Sequence, residues 1–172
     1  MHMHNVKAPA NVVKAAATGK VGVLRAWLSS DVADVNAANA AGDTLLHIAA
    51  GNAHERVVEL LLRGGAEINT QNSDGATALM RAALAGHERV VESLLQCGAE
   101  VSQHDGTGVT ALMGAAFNGH ERVVELLLRR GAEIDQQDSN GVTALVIVAS
   151  NGHERVVGLL LKRCADANLE NG

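Results

Sequence analysis

Four histidines raise the first chemical question in this chain. The segment His-Glu-Arg-Val-Val recurs at His54, His87, His120 and His153, every 33 residues. Imidazoles so repeated could ligate a metal, and the neighbouring Glu55, Glu88, Glu121 and Glu154 could act as acids or bases. The spacing decides against both. A zinc ion needs its ligands within about 2.0–2.3 Å of one point. Helices stacked in a row stand about 8–10 Å apart. The histidines therefore form a ladder that cannot converge, and their expected role is to bond neighbouring loops. A second carboxylate ladder, Glu67, Glu100, Glu133 and Asp166, fails the same test for paired acid–base work and reads as a solvated face. No Gly-x-Ser-x-Gly, His-Glu-x-x-His or phosphate-loop motif occurs. His2 and His4 could hold a metal only loosely. The expectation is a chain with no catalysis, no cofactor and no metal site.

A ladder needs elements that repeat, and a fixed period of this size implies a solenoid whose units stack on their neighbours. One unit shows the local logic. Asp105 and Gly108 suit the first and last positions of a type I turn. Asn39 and Gly42, Asn72 and Gly75, and Asp138 and Gly141 stand in register with them. Thr110 follows as a helix N-cap, matched by Thr44, Thr77 and Thr143. A short helix is predicted over 111–117, with Ala115 and Ala116 small enough for close stacking. Asn118-Gly119 breaks it. A second helix is predicted over 120–129, with an apolar face from Val123 to Leu128 and an i,i+4 pair, Glu125 and Arg129, on the wet side. Gly131 ends that helix in the left-handed conformation. Cys164 takes the place of Gly131 in the last unit, where a side chain is strained, so local fraying is expected there.

This alternation resembles the ankyrin repeat. Gly42-Asp-Thr-Leu-Leu-His-Ile-Ala-Ala50 matches its opening, and the Gly-His pairs at Gly86, Gly119 and Gly152 and the Gly-Ala pairs at Gly65, Gly98 and Gly131 match the rest. The resemblance implies an all-α, ankyrin-repeat solenoid of stacked helix–loop–helix units with short β-hairpin-like tips. It divides a single domain over 1–172 into a degenerate first unit (5–36), four full units (37–69, 70–102, 103–135 and 136–168) and the start of a further hairpin (169–172). The first unit lacks the Gly-x-Thr turn but keeps apolar residues in phase, with Trp27 read as core. Proline after the threonine is replaced by Leu45, Ala78, Ala111 and Ala144, and the family histidine survives only as His47. Asn36, Asn69 and Asn168 fall at the hairpin asparagine, which in this family can be hydroxylated; a structural hydrogen bond is the plainer role.

The resemblance also implies where a partner docks: on the concave face, built from hairpin tips and first helices. There the units differ while the scaffold repeats. The residues chosen on that basis are Asp43 and Asn52 in the first full unit. Asp74, Ala76, Arg81 and Leu84 follow in the next, then Val109, Phe117 and Asn118, and finally Val142, Ser150 and Asn151. Gly114 is another varying position. Phe117 is the only phenylalanine and a hot-spot candidate beside Arg81, unless it folds against its own unit.

Composition narrows the partner. A net charge of −5 with interspersed signs, and 1% aromatic residues, argue against a basic or base-stacking surface for nucleic acid. The apolar runs are too short to span a bilayer. Cys97 and Cys164 sit two repeats apart, roughly 20 Å by helix spacing, beyond disulfide reach. The expected setting is cytoplasmic or nuclear. The expected partner is another protein, with self-association possible through an apolar, uncapped last unit. A structural spacer, a fragment of a longer array and an engineered scaffold are the alternatives.

Overall fold

The computed structural model describes residues 7–170, with side chains as far as Cys164. His2, His4 and Asn171 lie outside the described residues, as do the side chains of Asp166 and Asn168. Among the described residues ten helices form five consecutive pairs. These are α1 (Ala10–Ala17) with α2 (Val21–Leu28), α3 (Leu45–Gly51) with α4 (Glu55–Arg63), and α5 (Ala78–Ala85) with α6 (Glu88–Gln96). They continue with α7 (Ala111–Phe117) and α8 (Glu121–Arg129), then α9 (Ala144–Asn151) and α10 (Glu154–Glu170). First helices pack in the row α1, α3, α5, α7, α9, and second helices in the row α2, α4, α6, α8, α10.

Composition explains the two rows. Ala49, Ala50, Ala82, Ala83, Ala115 and Ala116 are all fully buried along the first helices. Their single methyl groups let backbones approach closely. The second helices bury Val57, Val58, Val90, Val91, Val123 and Val124 behind them. Each fully buried valine or leucine contributes roughly 1.5–3 kcal/mol. Trp27 is half-buried against this core, at its edge. No helix among the described residues is long and apolar enough to cross a membrane.

The last unit departs from expectation. The preceding second helices end before Gly65, Gly98 and Gly131, which hold φ of +87°, +92° and +84°. At the equivalent place α10 does not stop or fray. It runs to Glu170, past the unit boundary expected at 168/169. Cys164 supplies the reason: a side chain disfavours the left-handed turn, and nothing else there breaks a helix. The outer face of this unit is open. Val146 is 50% exposed and Leu161 also 50%, whereas Met113, in register with Val146, is 1% exposed.

Candidate functional site

The face expected to dock a partner begins with the tips. In each turn the Asn or Asp side chain accepts two backbone amides. The Asn72 Oδ1 takes Asp74 N at 3.1 Å and Ala76 N at 2.9 Å. Asp105 takes Thr107 N at 2.8 Å, Val109 N at 3.0 Å and the Thr107 hydroxyl at 2.7 Å. Burial works against ionisation of Asp105. The Thr107 hydroxyl and the Val109 and Thr107 amides outweigh it and hold the carboxyl below its ordinary 3.8. Successive tips are joined by backbone bonds: Ser73 N to Ala41 O at 3.1 Å, Gly106 N to Asp74 O at 2.9 Å, and Ser139 N to Thr107 O at 2.8 Å. The tips therefore form one continuous edge at fixed spacing.

Behind them the histidine ladder locks the units together, as the spacing implied. The Nε2 atoms of His54, His87, His120 and His153 donate to Ala17 O, Gly51 O, Leu84 O and Phe117 O, at 2.9–3.1 Å. Asn118 and Asn151 join this ladder, donating to Leu84 O at 2.8 Å and Phe117 O at 3.0 Å. Both stay exposed, but their amide donors serve the stack. Asn52 donates within its own unit, to Ile48 O at 2.7 Å. Asn36 and Asn69 accept the amides of Glu67 and Glu100 at 2.9 and 3.0 Å, which are structural bonds between units. Among the described residues no group of three or more His, Cys, Asp or Glu could hold a metal ion. Cys97 caps α6 and Cys164 lies within α10; both are free.

The face expected to dock a partner holds a groove of about 210 Å³, between α5 and α7. Five of the chosen residues line it: Asp74, Ala76, Arg81, Leu84 and Val109. Met80, Asp105, Thr110 and Gly114 complete it. The volume is below the roughly 300–1,000 Å³ of small-molecule sites, and suits a side chain from a larger ligand. Leu84 is 45% exposed and forms one wall; Phe117, 55% exposed, stands at the end of α7 and does not fold away. Arg81 is less free than its sequence position suggests. It pairs with Asp43 at 2.9 Å, and Asn72 donates to the same oxygen at 2.8 Å. This trio ties one unit to the next. Val142, half-buried, and Ser150, exposed, belong to the last unit and lie outside the groove.

Sequence reasoning passed over Met80, Asp105 and Thr110 because each already had a scaffold role. The signal for Gly114 was available. It is the one glycine in the interior of a first helix among the described residues, where other units carry Ile48, Arg81 and Ile147.

Comparison with known proteins agrees with this architecture. A family model described as Ankyrin repeats (3 copies) matches residues 12–105 and 89–171, and no curated protein matches. Repeats of that kind are generally protein–protein interaction modules and typically non-catalytic. With five stacked helix pairs, bonded tips and a match over most of its length, the chain belongs to the ankyrin repeat family.

Proposed function

We propose that the chain is a protein-recognition module, an adaptor, scaffold or inhibitor, whose partner docks on the concave face centred on the α5–α7 groove. One observation carries this reading. Apolar groups are left exposed on that face, at Leu84 and Phe117, although the small-residue scaffold beside them is fully buried. Aromatic and aliphatic anchors of this kind dominate binding energy where they meet a partner. The tips and helices supporting them are held by bonds between every unit, so little order is lost on docking.

Capture from a lysate of the source cells tests it. The wild-type chain is compared with a Leu84→Ser, Phe117→Ser variant, and with an Arg89→Ala, Arg155→Ala control on the second-helix side. Arg81 is left in place because its pair with Asp43 is structural. The expected result is a protein retained by the wild type and the control and lost with the concave variant. Retention by the concave variant and loss with the control would place the partner on the opposite side. No retained protein at all would favour the spacer reading.

A further inference from the structure

We propose that the α5–α7 groove receives one aliphatic side chain of a partner segment that carries lysine or arginine beside it: an apolar–basic stretch of another protein. This rests on the concave-face reading and specifies the chemistry of its occupant.

The aliphatic half follows from Gly114. It sits inside α7 with an ordinary helical backbone, where glycine is roughly 0.5–1 kcal/mol worse than alanine. Packing does not demand it. The nearest atoms to a Cβ built there belong to Leu84, at 3.5 Å and beyond, which is normal van der Waals contact. Contrast Gly75, where a Cβ would meet Gly106 N at 2.7 Å. Gly114 thus lowers the stability of the free chain and keeps a gap open. The surfaces around that gap are Ala76, Met80, Leu84 and Val109, all apolar. Their natural guest is a branched or unbranched aliphatic group.

The basic half follows from charge. Asp74 and Asp105 flank the gap, and neither forms an ion pair among the described residues. Arg81 is the one cation lining the groove, and it is taken by Asp43. An acidic segment would meet two carboxylates with no free counter-charge. A purely apolar segment would desolvate the Asp74 carboxylate without compensation and leave Asp105 only its three turn bonds, which is costly. A lysine or arginine next to the aliphatic anchor removes both penalties.

The probe is a display library of random short peptides panned against the intact chain. Enriched sequences are then synthesised and titrated by fluorescence anisotropy. The expected enrichment is for Leu, Ile or Met adjacent to Lys or Arg. Gly114→Leu, which fills the gap, should weaken such peptides roughly tenfold, as loss of a buried anchor does. Asp74→Asn should weaken them about threefold, the scale of an exposed charge pair, and flatten the salt dependence. Circular dichroism checks folding, and Gly114→Ala provides a milder filling should the leucine disturb α7. Acidic or uncharged peptides that still respond to Gly114→Leu overturn the charge assignment and leave the concave face standing. Peptides that ignore Gly114→Leu but are lost with Leu84→Ser, Phe117→Ser overturn the anchor alone. Peptides indifferent to every one of these variants overturn the concave-face reading as well. No enrichment overturns the proposal, and the capture experiment then decides the concave face by itself.

Discussion

Ala53 is the one non-glycine among the described residues with positive φ, +60°, where the other units carry Gly19, Gly86, Gly119 and Gly152. Alanine in that region costs roughly 1–2 kcal/mol. Ala53→Gly should therefore stabilise the chain by about 1 kcal/mol in urea unfolding, despite the added freedom of the unfolded chain. An unchanged or lower midpoint would mean the turn is not left-handed in solution. His47 sets a pH dependence. Its Nδ1 accepts the Thr44 amide at 3.2 Å, so the proton sits on Nε2, which meets Ala76 O at 2.9 Å. Burial, only partly opposed by that backbone bond and by Asp43, holds the ring below its ordinary 6.5. The unfolded ring thus takes a proton more readily than the folded one. Stability is complete above about pH 6.5 and declines as pH falls, until the folded ring itself protonates. Melting curves from pH 7.5 to 5 should show this decline in the wild type and a shallower one in His47→Met, the residue found in the next two units. Equal slopes would assign the acid sensitivity elsewhere. The role of His47 was legible from its offset to Thr44. Its reach across to Ala76 was not, because that bond exists only once two units stack.

At the scale of the element, the turns behave as interchangeable parts except at the end of the row. A Cβ on Gly75 would strike backbone, Gly106 N at 2.7 Å, while one on Gly141 meets only Gln137, at 3.9 Å. Both residues have positive φ, +81° and +76°. Gly141→Ala should cost only the conformational term, about 1–2 kcal/mol. Gly75→Ala should cost clearly more, because the neighbouring tip must move as well. Comparable losses in urea unfolding would show that the tips are less tightly joined than the 2.9 Å Gly106 N to Asp74 O bond implies. Gly114→Ala should have the opposite sign, raising stability by about 0.5–1 kcal/mol. Most of this level could be read from the chain. The Asn/Asp-x-x-Gly spacing marked the turns at Asn39, Asn72, Asp105 and Asp138, and the observed α7 and α8 bounds, 111–117 and 121–129, fall within a residue of the predicted ones. The failure was α10. One substitution, Cys164 for glycine, removes a stop signal, and only the resulting backbone reveals that the helix then continues. The pairing of Arg81 was hidden for a related reason: its partner Asp43 lies 38 residues back and comes within reach only across an interface.

For the molecule as a whole, the principal helix contacts lie within a unit or with the next. Stability is then a sum of units and interfaces, and a position's share depends on how closed its interface is. Substitution in register should expose the gradient. Met113→Asn buries an amide in a closed interface and should cost several kcal/mol, of order 2–5 with the lost apolar contacts. Val146→Asn, on the half-exposed end face, should change stability by less than about 0.5–1 kcal/mol. Similar costs would mean the end face is covered in solution. The same gradient predicts that, among the described residues, amide exchange is slowest in α5 and α6, in the middle of the row, and faster in the pairs α1–α2 and α9–α10. The periodicity made this architecture readable, whereas the groove depends on which side chains the stack leaves unpaired. The tip-to-tip bonds carry one more consequence. A force drawing the two ends apart along the row passes through every interface in series. The chain is in that sense a string of links, and under load it parts at whichever interface is held by the fewest bonds.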